Sequence, residues 1–183
     1  MAVHPSAGGD TDAGQTAEVT YLSAIQRLCE VPGIGPDIAR TVIAEIGLDM
    51  TVFGTAQRLC AWARVAPATR QSGRRRARAK TGKGNPYLKS ALGQAATSAA
   101  KTATFLGERY RRLIKRMPKG KARVALARSI LMIIFVLLAD PTARYRDLGP
   151  DFYIRHLDTR RRTDQLVRQL EALGHQVTLA PAA

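Results

Sequence analysis

Acidic residues are scarce where the chain carries most of its positive charge. The sequence holds 29 lysines and arginines against 14 aspartates and glutamates, and Glu108 is the single acid between Asp49 and Asp140. A two-metal site needs several converging carboxylates, so we expect no metal or other cofactor to be held within this chain. The histidines also lack the spacing of metal ligands: His4, His156 and His175. A Ser-His-Asp hydrolase is disfavoured as well, because the GxSxG turn is absent.

Other scarcities narrow the class of protein further. Cys29 and Cys60 form neither a CxxC pair nor a disulfide framework, which is typical of reduced thiols in a cytoplasmic protein. The longest apolar run, residues 130–139, is far shorter than the roughly 20 residues that a membrane span needs. No signal-peptide pattern is visible at the N-terminus. Aromatic residues make up only 5% of a chain rich in Ala and Leu, which favours helices.

What is abundant is positive charge, and much of it lies in one segment. The formal net charge of +15 implies a polyanionic partner. Residues 64–89, RVAPATRQSGRRRARAKTGKGNPYLK, contain no acid, and their glycines and prolines indicate a shaped loop. A solvated basic loop is the plainer alternative. The residues predicted to contact nucleic-acid phosphates here are Arg70, Arg74, Arg75, Arg76, Arg78, Lys80, Lys83 and Lys89.

Ser72 is the one serine in this segment, and it lies among these arginines. Guanidinium groups can clamp a phosphate and stabilise the charge that develops while a hydroxyl attacks. The product would be a covalent phosphoseryl link. Ser-Gly is also an ordinary turn dipeptide, so the residue types alone leave both interpretations open.

A second candidate phosphate site is the sequence PGIGP between two apolar helical patterns. Gly33 and Gly35 would let backbone amides face outward at a helix N-terminus, where they accept a phosphate without reading sequence. Pro36 suits the first turn of the second helix and Gly47 its end. A simple helix-helix turn is the alternative, and in either case Ile34 is expected to be buried. The pattern resembles the helix-hairpin-helix module of DNA-repair and recombination proteins.

The remaining pattern predicts a mostly α, compact helical domain. We expect residues 1–20 to be a disordered acidic leader and residues 21–140 to form the domain, with the hairpin at 21–47, the basic loop at 64–86 and core helices at 86–139. One of these helices should run from Pro86 to about Leu106, and the one ending at residue 139 should be central. The lone Trp62 is expected in the core. Residues 141–183 form an extension with a helix over about 163–173 and a short edge strand over 175–179.

Four segments in natural order carry a resemblance to a known family. They are LCEVPGIGP, LCAWARVAPATRQSG, KTGKGNPYLKSAL and KGKARVALARSIL. They resemble the C-terminal transposase domain of the insertion-sequence one-ten family, also called the one-sixteen or nine-oh-two family, over about residues 25–138. The resemblance implies DNA transposition, with Ser72 as the catalytic nucleophile.

The resemblance also implies partners that this sequence does not itself supply. Family members resemble RNA-guided recombinases that join this domain to a RuvC-like domain with a magnesium-binding carboxylate set. We therefore expect DNA, a guide RNA and either a homo-oligomer or a RuvC-like partner, in the bacterial cytoplasm at the nucleoid. Because no RuvC-like domain precedes Tyr21, the chain is expected to be incomplete, as a truncated element or one part of a split enzyme. A non-catalytic nucleic-acid-binding remnant is the main alternative, and a ribosomal-type RNA-binding protein is a third.

Overall fold

The computed structural model describes residues 23–66, 71–72, 75–76, 82–156 and 159–180. The described part is mostly helical, as predicted, and the predicted leader lies outside it. Its only β-structure is a two-stranded ladder of β1 (Gln71–Ser72) and β2 (Arg75–Arg76). The helices are α1 (Ala24–Cys29), α2 (Pro36–Ile46), α3 (Ala56–Trp62), α4 (Pro86–Ala99), α5 (Phe105–Ile114), α6 (Lys119–Ala139), α7 (Phe152–Arg155) and α8 (Thr159–Ala172), with a 3-10 turn at Met50–Val52.

Helix α6 is the centre of the fold, as the apolar sequence predicted. It packs against α1, α3, α4 and α5. Its side chains Leu126, Ile130 and Ile134 are fully buried. By length and composition α6 would be long enough to cross a membrane, a test that buried core helices also pass. Contact with four neighbouring helices accounts for its apolar composition.

The first two helices are joined by the turn that contains the PGIGP sequence. α2 begins at Pro36 and ends before Gly47, which adopts a φ of +73°. Ile34 is 5% exposed, as predicted for a buried plug. The predicted start of α1 at Tyr21 lies outside the described residues, and the helix itself begins at Ala24. It begins there because the Ser23 hydroxyl accepts a hydrogen bond from the Gln26 amide while the Gln26 side chain accepts one from the Ser23 amide.

Helix α4 is shorter than predicted. It ends at Ala99 instead of continuing to about Leu106. The Thr102 hydroxyl donates to the Ala99 carbonyl at 2.8 Å, and the Thr104 hydroxyl caps the first turn of α5 by accepting from the Gly107 amide. Threonine hydroxyls compete with helical backbone bonds, so this threonine-rich stretch breaks one predicted helix into two.

Two further predictions are corrected by the structure. Trp62 is 48% exposed and lies edge-to-face on Phe53, with ring centroids 5.4 Å apart, because the buried face of α3 is filled by Leu59 and Cys60. The predicted edge strand at residues 175–179 does not form, since these residues have no neighbouring strand in the described part of the chain. The preceding helix, α8, starts at Thr159, four residues before the predicted position, and ends before Gly174 as predicted.

Residues 140–156, here called the C-terminal clasp, hold the extension against the domain. Glu30, at the end of α1, accepts hydrogen bonds from Arg144 Nε at 2.6 Å and from the Tyr145 amide at 3.0 Å. The Arg144 guanidinium lowers the pKa of the Glu30 carboxyl below its usual range. Arg27, which is 6% exposed, donates to the carbonyls of Leu137 and Asp140 and so fixes the end of α6.

An aromatic cluster attaches the other end of the clasp to α5. Phe105 stacks on Tyr153 at 5.4 Å and meets Phe152 edge-to-face at 5.0 Å. The Arg112 guanidinium lies 4.3 Å above the Tyr153 ring. Such aromatic and cation-π pairs each contribute about 0.5–1.5 kcal/mol, so the clasp is a packed part of the fold.

Candidate nucleic-acid interface

Ser72 lies in the β-ladder, at the end of β1. The strands are antiparallel, with Ser72 opposite Arg75 and Gln71 opposite Arg76. Residues directly opposite in such a pair have Cα atoms about 4.5–5.5 Å apart. The ladder thus makes the predicted nucleophile and a predicted phosphate-binding residue cross-strand neighbours. The predicted contacts Arg70, Arg74, Arg78 and Lys80 lie outside the described residues.

The segment that contains the ladder leaves the domain through a narrow base, here called the neck, formed by Arg64, Gly82 and Gly84. Arg64 has a φ of +56°, a conformation that non-glycine residues rarely adopt. Its side chain lies against both glycines. A Cβ at Gly82 would be 3.2 Å from Arg64 Cδ, and one at Gly84 would be 2.8 Å from the Ala63 carbonyl oxygen. Glycine is therefore required at Gly84, because a larger residue would push the two sides of the neck apart.

Two side chains at the start of α4 tie the neck to the core. The Lys89 ammonium donates to the Gly82 carbonyl and, at 3.0 Å, to the Lys83 carbonyl. The Asn85 side chain caps α4 by accepting from the Leu88 amide at 3.1 Å and also donates to Glu45 on α2. Lys89, predicted as a phosphate contact, therefore also has a structural role, and it stays partly exposed beside the loop. Lys83 is exposed at the neck, as a phosphate contact requires.

The two glycines of the predicted hairpin site have different surroundings. Gly33 has a φ of +90°, and a Cβ there would lie 2.4 Å from the Ala95 carbonyl oxygen and 2.8 Å from the Ala99 nitrogen of α4. Gly33 therefore lets the hairpin approach α4. Gly35 has open space around its Cβ position and precedes α2 without any side chain capping the helix. Only Gly35 leaves helix amides accessible.

Helix α4 carries both predicted phosphate sites but does not bring them together. The neck is tied at Lys89, and Gly33 contacts the far end of the helix near Ala99. At 1.5 Å per residue, these positions are about 15 Å apart along the helix. The interface therefore extends along α4 instead of forming one compact pocket.

The described residues also include acids, cysteines and further arginines. No group of three His, Cys, Asp or Glu side chains in the described ranges lies close enough to hold a metal ion. Cys60 is fully buried, and burial raises the pKa of its thiol, so it is a poor nucleophile. The structure also adds residues that the sequence patterns did not identify. Arg64 shapes the neck, and Arg123 of α6 lines an open groove beside α4.

Comparison with known proteins identifies the segment that carries these features. Residues 25–111 match the family described as Transposase IS116/IS110/IS902 family. That segment is similar to this transposase family. A Pseudomonas aeruginosa protein named "Probable family 20 transposase" is 31% identical over 131 residues, which are 69% of this chain and 38% of that protein. The chain thus spans about two fifths of the length of this transposase relative.

The transposase match includes the hairpin, the ladder and the neck. It begins within α1 and ends within α5, so α6 and the C-terminal clasp follow the matched segment. The transposase segment nevertheless depends on α6 for its core, because α3, α4 and α5 all pack on that helix.

Proposed function

We propose that this chain is the strand-exchange part of a DNA transposase that moves an insertion element, with Ser72 as the nucleophile. The observation that carries the proposal is the transposase family match over the segment in which Ser72 pairs with Arg75. Flanking arginines on both sides of Ser72 support it, since they would neutralise the attacked phosphate.

In the proposed reaction, the Ser72 hydroxyl oxygen attacks the phosphorus of a DNA phosphodiester. A serine-phosphorus bond forms, and the bond from phosphorus to one deoxyribose oxygen breaks. The serine proton passes to a base, and the leaving oxygen takes up a proton. The resulting phosphoseryl diester conserves the energy of the broken bond, so a hydroxyl of a second strand can displace the serine. The arginines stabilise the charge on the phosphate oxygens during each step.

The base and the metal chemistry of the family are assigned to a partner domain in this proposal. The donor set of the described residues does not fit magnesium, because no carboxylates converge. No acid lies within residues 50–107, which include the ladder and its surroundings. A RuvC-like domain, acting in the same complex, would provide both the proton acceptor and the magnesium ions.

The partners in this proposal are the element DNA and a guide RNA. The basic loop binds phosphates, and the amides in the first turn of α2, which Gly35 leaves without a side-chain cap, hold a further phosphate. The helix-hairpin-helix interpretation therefore applies to Gly35, while Gly33 supports the hairpin against α4. Such a protein works in the bacterial cytoplasm at the nucleoid, as an oligomer or with a RuvC-like partner.

The test is reconstitution with a family RuvC-like domain, its guide RNA, magnesium and a nicked DNA substrate. We expect a covalent protein-DNA adduct on a denaturing gel and strand-exchange products. Ser72→Ala should abolish both while leaving DNA affinity nearly unchanged, because the serine contributes one hydroxyl to a multi-arginine surface. Gln71→Ala, in the same strand, is the matched control and should retain activity.

Two further measurements sharpen this test. Arg70→Ala should weaken both binding and exchange, because it removes a phosphate contact along with charge stabilisation. The chain alone with magnesium should not cut DNA. An adduct that persists in Ser72→Ala would make the serine an ordinary strand residue. DNA binding without exchange by any reconstituted complex would favour a non-catalytic remnant.

A further inference from the structure

A groove between α4 and α6 is a concave feature of the described residues that the proposed chemistry does not use. Its volume is about 700 Å³, and it opens to solvent. One wall carries Ser90, Gln94 and Ser98, which recur at helical spacing on the exposed side of α4. The opposite wall, on α6, carries Gly120 and Arg123. The groove is therefore lined largely by small and polar side chains.

The charge around the groove has one sign. Arg64, Lys89 and Arg123 contribute to its lining, and no Asp or Glu does so among the described residues. The hydroxyls and amide on α4 are neutral hydrogen-bonding groups that suit phosphate and sugar oxygens. Cations together with neutral hydrogen-bonding groups along one wall are typical of a channel for a nucleic-acid backbone. Nothing in this lining would repel a polyanion.

The shape of the groove depends on small residues facing it. Gly93 lies in the middle of α4, where a glycine costs about 1 kcal/mol relative to alanine. A Cβ at Gly93 would contact nothing within 4 Å, and the same holds for Gly120 on α6. Packing in this molecule therefore does not require either glycine. Because neither glycine has a side chain, the groove stays wide enough for a single nucleic-acid strand.

The groove also leads to the segment that carries Ser72. Arg64 and Val65, just before that segment, line one end of the groove. Lys89, in the same lining, holds the Gly82 and Lys83 carbonyls just after the segment. Both ends of the neck thus lie at the groove. A strand lying between α4 and α6 would pass directly beside the base of the Ser72 segment.

We propose that the α4–α6 groove binds the sugar-phosphate backbone of a nucleic-acid strand and guides it to the Ser72 segment. This inference rests on the proposed function, since it concerns the path of the substrate. Arg123 contacts a phosphate, and the α4 hydroxyls contact neighbouring phosphate or sugar oxygens. The contacts are to the backbone, so binding here is independent of base sequence.

Gly93 offers a test that leaves the core intact, because its Cβ position is open. The affinity of the full chain is measured for a labelled DNA duplex and for a single strand of equal length. Gly93→Glu should weaken binding about tenfold relative to Gly93→Gln, which has the same bulk without the charge. Gln169→Glu, on exposed α8, adds the same charge outside the groove. Because salt screens an exposed charge at a distance, this variant should change DNA affinity less than twofold. Thermal melting should show that all three variants fold.

A second pair of variants tests the cation. Arg123→Gln should reduce the slope of log affinity against log salt by about one, the value for one lost phosphate contact. Lys121→Gln is the matched control, because Lys121 is exposed on α6 but does not line the groove. It should leave the slope unchanged.

The outcomes separate this inference from the proposed function. If Gly93→Glu and Gln169→Glu reduce DNA affinity equally, in a chain that otherwise binds DNA, the groove does not bind the strand. The proposed function would be unaffected by that result. No salt-sensitive binding by the unaltered chain would overturn both. A Gly93→Glu variant that keeps its DNA affinity but changes oligomeric state would show that a protein surface occupies the groove, which also overturns the inference.

Discussion

At the scale of single residues, Gly33 and Gly35 show that identical residues in one motif can have different physical roles. Gly33 combines a φ of +90° with a Cβ position only 2.4 Å from a carbonyl oxygen of α4. Gly35 has an extended backbone and open surroundings. The PGIGP pattern predicts a turn with exposed amides, but the contact of Gly33 with α4 depends on residues far along the chain and is not visible in the motif.

Serine substitutions separate these two roles. Gly33→Ser should lower the free energy of unfolding by about 3 kcal/mol, since it adds both backbone strain and overpacking. Gly35→Ser should leave stability unchanged or raise it by a few tenths of a kcal/mol, because serine is a good N-cap. Chemical denaturation of both variants measures the difference.

The same variants report on the hairpin as a phosphate site. A serine at Gly35 would satisfy an amide at the start of α2, so it should compete with a bound phosphate and reduce DNA affinity severalfold despite normal stability. Unchanged affinity in Gly35→Ser would mean that these amides hold no phosphate.

At the scale of helices and loops, prediction from sequence succeeded where a boundary has a local cause. Pro36 and Gly47 mark the ends of α2, and the apolar stretch before residue 139 forms the central helix. It failed where tertiary contacts or side-chain hydroxyls decide, as at Thr102 and Thr104. The partial exposure of Trp62 was also missed, because the pattern cannot show which apolar residues fill a limited buried face. For the candidate site, the sequence predicts the basic loop and Ser72, but the groove requires two helices distant in sequence to meet.

The C-terminal clasp provides a pH-dependent test at this scale. Because Arg144 lowers the pKa of Glu30 in the folded protein, the attachment is stable above the ordinary glutamate value of about 4.3 and weakens as pH falls through the lowered pKa. The partly exposed pair is expected to contribute about 1 kcal/mol. The protection factors of residues 143–147 in amide hydrogen exchange, which correct for the intrinsic effect of pH on exchange, should therefore fall in acid.

Glu30→Gln is the control for the clasp. It removes the titrating carboxyl, so the protection of residues 143–147 should be lower at neutral pH and should show no further loss in acid. If the variant and the unaltered chain respond identically to pH, the ion pair does not hold the clasp.

At the scale of the whole molecule, several acids of the described residues have structural roles. Glu45 holds the Asn85 cap, Asp49 caps the 3-10 turn, and Asp140 accepts from Thr142. Glu108, the single acid between residues 49 and 140, pairs with Arg111. The net charge of +15 is therefore presented by a surface whose central stretch has almost no opposing charge.

This charge distribution predicts nucleic-acid binding that depends strongly on salt and weakly on sequence. Each neutralised phosphate contributes about 0.9 to the slope of log affinity against log salt, so we expect a slope of about −4 or steeper. Titration of a labelled duplex at several salt concentrations measures it, with a scrambled duplex as the comparison. A flat dependence would show that the basic surface does not contact the backbone.

The closed neck at Arg64 and Gly84 has a consequence for how such a protein can diversify. Because Arg64 packs against Gly82 and Gly84, and Lys89 holds the Gly82 and Lys83 carbonyls, we expect residues 67–81 to tolerate changes in length or composition at little cost to the core. Doubling a flexible loop costs only about 0.6 kcal/mol of closure entropy. The neck would therefore let the sequence of this loop vary without changes in the helices that carry it.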